Sequence, residues 1–145
     1  MSNTQTSHYA PHLLGTLRIV AGVLFVAHGL VKVAGFPEGA QPGQQELLSL
    51  FGIGGLIEIV TGSLIALGAF TRTAAFVASG QMAVAYWMFH APKSTFPSEN
   101  GGEAAILFCF IFLLVAAAGP GPWSLDALMG REAGGRRSLF AGFRR

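Results

Sequence analysis

The chain has 145 residues and a formal net charge of +2, and 52% of its residues are hydrophobic while only 11% are charged. Charged residues this scarce leave too little polar surface for a soluble globular protein, whereas helices that face lipid need none. The single cysteine, Cys109, excludes an intramolecular disulfide and a CxxC redox motif carried by this chain alone.

Four apolar stretches occupy more than half of the sequence: Leu13 to Gly35, Phe51 to Phe70, Arg72 to Ala91 and Glu103 to Pro120. Each has about 18 to 23 residues, which at 1.5 Å per residue matches a hydrocarbon core about 30 Å thick. The first stretch is too long for the apolar region of a signal peptide and contains Arg18, so we expect it to stay in the mature protein. The sequence therefore predicts an all-α integral membrane protein with a bundle of four transmembrane helices.

The distribution of arginine predicts the orientation of the bundle. A polar tail at residues 1–12 precedes the membrane domain at 13–128, and a basic tail follows at 129–145. By the positive-inside rule, the basic tail and the turn at Arg72 predict that both termini are cytoplasmic, with the loops around residues 36–50 and 92–102 outside. We expect the basic tail to lie on the anionic cytoplasmic leaflet, and a solvated, disordered tail is the alternative.

Ionisable residues interrupt the apolar helices, and inside lipid each of them needs a partner. In the first helix, His28 and Lys32 lie about 10 Å and about 5 Å below the outer end, and Glu58 of the second helix lies about 10 Å below the same face. Glycines repeat every seven residues in the first helix, which turns Lys32 towards the bundle, and Glu58 continues a stripe of small residues in the second. We therefore expect Glu58 to pair with His28 or Lys32.

The third and fourth helices bring further polar residues to the outer third of the bundle. Tyr86 and His90 lie on one stripe near the outer end of the third helix, and Glu103 begins the fourth. Gln81 falls on a different side from that stripe, so we leave it out of the site. The candidate ligand-binding set is His28, Lys32, Glu58, Tyr86, His90 and Glu103.

Several of these residues also have an ordinary structural explanation. Arg18 and Lys32 can extend to the lipid head groups, which we expect for Arg18 and leave open for Lys32. Glu103, three residues after Asn100, fits a helix capping box, and His90 fits an interfacial position. Glu58 is too deep for either explanation, so it must be paired or protonated. We therefore regard Glu58 and His28 as the candidate catalytic residues.

The joint pattern resembles the DoxX family of small four-helix bacterial membrane proteins. The resemblance covers about residues 14 to 128 and rests on His28-Gly29-x-x-Lys32, Gly54-Gly55-x-x-Glu58, Asn100-Gly101-Gly102-Glu103 and the run from Gly119 to Asp126. It implies a four-helix bundle in a bacterial inner membrane, of a kind sometimes associated with membrane oxidoreductases or with sulfur and redox-stress systems. Members of the wider group resemble quinone-interacting subunits.

Three functions remain open at this stage. The first is a component of a redox-linked system that binds a quinone or another lipidic ligand, with Glu58 exchanging protons beside His28. The second is a scaffold subunit, whose ion pair only fixes how the helices pack. The third is a metal site formed by His28, Glu58, His90 and Glu103. The expected partners are the lipid bilayer and a redox protein or a second copy of the chain; nucleic acid is not expected.

Overall fold

The computed structural model describes residues 4–130, and this part of the chain is helical with no strand. The all-α prediction is confirmed. The helices are α1 (Thr4–Ala34), α2 (Leu50–Leu67), α3 (Thr71–Ala85), α4 (Pro97–Asn100), α5 (Glu103–Ala118) and α6 (Leu125–Leu128), and a π-helical turn, Tyr86–His90, extends α3. α1 begins nine residues before the predicted start of the first span, so the helix includes most of the polar segment 1–12. The basic tail from Arg131 onward lies outside the described residues.

Helices α1 and α2 run antiparallel with their backbones in close approach. A Cβ atom on Gly22 would lie 2.6 Å from the backbone nitrogen of Ala66, and one on Gly29 would lie 2.6 Å from the carbonyl oxygen of Gly55. Only glycine fits at such distances, so the repeated glycines fix both the separation and the register of the two helices. This register brings Gly55 against Lys32, at the same depth in the bundle.

Helices α3 and α5 form the second close pair and complete the core. The Ser79 hydroxyl donates a 2.8 Å hydrogen bond to the carbonyl oxygen of Cys109, which joins the middles of the two helices. Phe25 of α1 packs edge to face on Phe112 of α5, with ring centroids 4.8 Å apart. Both rings are fully buried beside Ile65. The apolar core thus lies between all four long helices.

Arg18 is fully buried and holds two helix ends together. Its guanidinium donates to the carbonyl oxygens of Ile65 and Ala66 at the end of α2, at 2.6 and 2.7 Å. It also donates to the carbonyl oxygens of Pro120 and Trp123, at 2.7 and 2.9 Å. The expectation that Arg18 extends to the lipid head groups is therefore wrong. The carbonyl groups of Pro120 and Trp123 lie in the irregular segment after α5, where no helical hydrogen bond reaches them. Arg18 donates to them inside the protein instead.

Asp126, at the start of α6, fixes the turn between α2 and α3. Its carboxylate accepts hydrogen bonds from the backbone nitrogens of Phe70 and Thr71, at 3.0 and 2.9 Å, and from the Thr71 hydroxyl at 2.9 Å. Phe70 has a φ of 47°, which is uncommon for a residue other than glycine. The carboxylate bond to its backbone nitrogen helps to hold that conformation.

Two described helices are long and apolar enough to cross a membrane, Tyr9–Ala34 and Leu50–Leu67. The apolar helix Glu103–Ala118 is shorter, with 16 residues. Length and composition alone therefore identify two spans among residues 4–130, where the sequence predicts four.

Candidate functional site

The centre of the candidate site is an ion pair between α1 and α2. Lys32 Nζ lies 2.5 Å from Glu58 Oε1, and the side chains are 17% and 1% exposed. The pair forms because the antiparallel glycine contacts align the two helices at this depth. Of the two partners predicted for Glu58, the structure selects Lys32. A buried carboxylate is thus linked to the protein surface through one partly exposed lysine.

Gln81 of α3 also belongs to this site, which corrects its exclusion from the sequence-based set. Its amide nitrogen donates to the carbonyl oxygen of Gly54 at 2.9 Å and to Glu58 Oε1 at 3.4 Å. α3 has neighbours on two sides, so it turns Ser79 towards α5 and Gln81 towards α2. A single inward stripe is therefore an incomplete description of α3. The signal for Gln81 was its polarity within an apolar helix.

Two buried oxygen atoms of this site have no hydrogen-bond partner within residues 4–130. They are Glu58 Oε2 and Gln81 Oε1. Buried polar atoms are nearly always satisfied in proteins, so an unpaired buried acceptor calls for a donor that the protein itself does not supply. We call Lys32, Glu58 and Gln81 the polar cluster. It has one ion pair, one amide and two buried oxygen acceptors without a partner.

His28 lies one helical turn before Lys32, but its ring points elsewhere. The side chain is exposed, and the ring packs edge to face on Phe108 of α5 with centroids 5.6 Å apart. His28 makes no hydrogen bond to Glu58 in this structure, although it lies close enough to act on Glu58 electrostatically. The imidazole is therefore placed at the seam between α1 and α5, beside the polar cluster.

The remaining candidates form a separate group at the loop before α5. Tyr86 packs against Gly102, and its ring stacks on that of His90 at 6.4 Å. A ring nitrogen of His90, Nδ1, lies 3.0 Å from the carbonyl oxygen of Asn100. Glu103 is exposed at the start of α5. No hydrogen bond or ion pair among the described residues joins this group to the polar cluster.

The capping box proposed for Asn100 and Glu103 is wrong. Asn100 is the last residue of α4, and Gly102 is the residue that caps α5. The Asn100 side chain instead accepts a 2.7 Å hydrogen bond from the backbone nitrogen of Gly102. The two glycines after Asn100 separate α4 from α5, and they move Glu103 to the first position of the helix. Its carboxylate there still benefits from the helix dipole.

The four residues of the possible metal site are not assembled. Within the described part of the chain, no group of three or more histidine, cysteine, aspartate or glutamate residues could hold a metal ion. His28 faces Phe108 and His90 faces the loop at Asn100, so the imidazoles point away from Glu58.

Comparison with known proteins places the chain among bacterial membrane proteins. A family model described as DoxX matches residues 13–91. An uncharacterized protein of Haemophilus influenzae is 41% identical over 122 residues, which cover 81% of this chain and 91% of the relative. The inner membrane protein YqjF of Escherichia coli is 28% identical over 130 residues, covering 79% and 90% of the two chains. The uncharacterized membrane protein Rv3486 of Mycobacterium tuberculosis is 28% identical over 143 residues, covering 81% of each. No solved structure gives a significant match.

Proposed function

We propose, from the premise that this chain belongs to the DoxX family of membrane proteins, that it binds a quinone or another lipidic ligand at the polar cluster. In this proposal it acts as the membrane component of a redox-linked system. The observation that carries the proposal is the buried Lys32–Glu58 pair together with the two unpaired acceptors beside it. A carboxylate at this depth is expensive to keep, and such residues in membrane helices commonly mark ligand or proton pathways.

Four spanning helices are part of this proposal. Besides the two long apolar helices, α3 exposes Phe76 and Val84, and α5 exposes Leu107, Phe110 and Leu114. Large apolar side chains facing outward on every long helix suit a lipid environment better than water. With α3 and its π-helical turn crossing together, four spans leave both termini on one side. We propose the cytoplasmic side in a bacterial inner membrane, because arginines concentrate at that end.

An apolar groove between α1 and α5 offers a route for the ligand. It has a volume of about 220 Å³ and is lined only by apolar residues, among them Leu24 and Phe108. His28 follows Leu24 by four residues and touches Phe108, so it stands at the outer end of the groove. A lipid tail in this groove would bring its head group to His28, one turn from Lys32. Because Glu58 Oε2 is covered, the head group reaches it only when the seam opens.

The chemistry of this proposal assigns proton exchange to the two candidate catalytic residues. Reduction of a quinone to a hydroquinone takes up two electrons and two protons. Glu58 and His28 both exchange protons in proteins, and Lys32 connects Glu58 to the surface. In this proposal the electrons come from a partner protein or from a haem or metal, because the chain has no CxxC motif or cysteine cluster for an iron–sulfur centre.

A scaffold function is the second candidate, and the ion pair itself favours it. The Lys32–Glu58 contact of 2.5 Å joins α1 to α2. Buried ion pairs can have a purely structural role, in which they fix the register of two helices. In that case the polar cluster supports assembly with another membrane subunit and binds no ligand.

Substitution of Glu58 distinguishes the two functions. Glu58→Gln keeps the size and one acceptor for Lys32 but removes the titrating proton, and Thr61→Val is a matched control because Thr61 is also buried in α2 and bonds only its own helix. The measurements are the content of quinone in both redox forms in the purified protein, by mass spectrometry of its lipid extract, and its thermal stability. We expect the amount of each bound form to change in Glu58→Gln and to stay the same in the control. Wild-type protein without either form, or a variant that retains as much of each form as wild type, would contradict the proposal.

A further inference from the structure

The polar cluster presents acceptors, and few donors, to a ligand. The Gln81 amide is oriented by its two neighbours, because its nitrogen donates to the Gly54 carbonyl oxygen and to Glu58 Oε1. The amide oxygen therefore faces away from them without a partner. Lys32 donates to Glu58 Oε1, so the unpaired atom of the carboxylate is Oε2. The two unpaired atoms, Glu58 Oε2 and Gln81 Oε1, are therefore both hydrogen-bond acceptors.

We infer that the polar cluster takes a lipidic ligand whose head group carries two hydrogen-bond donors, such as the paired hydroxyl groups of a hydroquinone. This inference rests on the proposed function and specifies its ligand class. A quinone carbonyl can only accept, so it leaves Glu58 Oε2 and Gln81 Oε1 unpaired. The Lys32 ammonium has further N–H donors besides the one bonded to Glu58 Oε1, but a bond from it to a quinone carbonyl still leaves both acceptors unpaired. The site therefore selects the reduced form of the ligand.

A pair of hydroxyl donors on an apolar tail can come from more than one class of membrane molecule, and we consider two of them. One is the hydroquinone, and the other is the free diol of a monoacylglycerol. Both satisfy the two acceptors, and the groove lined by Leu24 and Phe108 accommodates either tail. The test therefore includes a probe of each class.

The test is equilibrium binding to the purified full chain in lipid nanodiscs. The first pair of probes is decylhydroquinone and its dimethyl ether, which share a ring and a tail and differ in their two donors; the third probe is monodecanoylglycerol. We expect decylhydroquinone to bind about tenfold more tightly than its ether or more, because unmade hydrogen bonds leave two buried acceptors unpaired. Tighter binding of monodecanoylglycerol than of decylhydroquinone would identify a diol lipid as the ligand. It would still support the inference that the ligand carries two hydrogen-bond donors, which we call the donor rule.

A variant separates donor recognition from simple loss of the site. In Glu58→Gln, Lys32 holds the amide oxygen, so the amide nitrogen occupies the position of Oε2 and an acceptor becomes a donor. The ratio of decylhydroquinone to decylbenzoquinone affinity should fall about tenfold or more in this variant. It should stay unchanged in Ser79→Ala, which removes a hydroxyl bonded to α5 on the other side of α3.

The outcomes distinguish the two proposals. If decylhydroquinone, decylbenzoquinone and the ether bind wild-type protein equally, water fills the acceptor positions and the donor rule is overturned, while ligand binding at this site stands. If none of the probes binds to folded wild-type protein, both the donor rule and the proposed function fail.

Discussion

Replacement of Arg18 tests the buried arginine that joins the ends of α2 and α5. In Arg18→Met, an apolar side chain of similar length replaces a guanidinium that donates to four carbonyl oxygens. All four carbonyl oxygens lose the guanidinium in this variant. The Ile65 carbonyl still accepts the 3.1 Å hydrogen bond from the backbone nitrogen of Gly68, whereas the carbonyls of Ala66, Pro120 and Trp123 lose the arginine donor. At about 1 to 3 kcal/mol for the buried Pro120 carbonyl, and less for the partly buried carbonyls of Ala66 and Trp123, we expect a loss of about 3 kcal/mol of unfolding free energy.

The assay is equilibrium unfolding in mixed micelles by titration with SDS, followed by tryptophan fluorescence. Arg72→Met is the matched control, because Arg72 also donates to carbonyl oxygens at the end of α5, those of Ala116 and Ala117, but from an exposed position. Exposed hydrogen bonds are replaced by water, so we expect this control to lose about 1 kcal/mol or less. Equal losses in the two variants would show that burial adds nothing to the Arg18 bonds and would refute the reasoning.

Three further predictions use the same unfolding assay or a labelling assay. Gly22→Ala should lower the unfolding free energy by about 1 to 3 kcal/mol, because the added methyl group overpacks the contact with α2. Gly80→Ala should instead raise the unfolding free energy by up to about 1 kcal/mol, because nothing lies within 4 Å of a Cβ atom at this position. Similar effects of the two substitutions would contradict the close approach of α1 and α2. Asp126→Asn places an amide donor against the backbone nitrogens of Phe70 and Thr71, which are also donors, so it should lower the unfolding free energy by about 1 to 3 kcal/mol. An unchanged value would show that the Asp126 carboxylate does not hold the turn between α2 and α3. In a background without the native cysteine, Gln44→Cys should react with an impermeant thiol reagent from outside and Ser138→Cys should not, and the reverse pattern would overturn the orientation.

The sequence predicts that Glu58 pairs with His28 or Lys32, because the depth of these residues follows from regular helix geometry. Rise per residue gives the depth of Lys32 and Glu58, and the glycine repeat gives the faces on which they lie. Gln81 is missed for the same reason, since a single stripe through Tyr86 assumes one inward face. α3 lies between α2 and α5 and therefore has two. The number of neighbours around a helix is a property of the assembled bundle.

The errors at Arg18 and Glu103 have a different origin. Both depend on backbone outside the regular helices. The carbonyl groups that bind Arg18 include those of Pro120 and Trp123, in a segment whose path is set by glycines and prolines. Likewise, the glycines at 101 and 102 end one short helix and begin another, which displaces Glu103 from the expected capping position. Residue patterns predict helices well, but they do not show which backbone oxygens a loop will present to a neighbouring side chain.

The pairing of Lys32 with Glu58 also bears on how the chain enters the membrane during synthesis. The two residues lie on consecutive helices, so their partners become available as soon as α2 has emerged from the ribosome, before α3 and α5 exist. Isolated charges raise the free energy of inserting a helix into lipid, whereas a paired lysine and glutamate carry no net charge. Helices α1 and α2 can thus leave the translocon together as a hairpin in which Lys32 and Glu58 already neutralise each other. The same contact that forms the candidate site thereby lowers the barrier to building the protein.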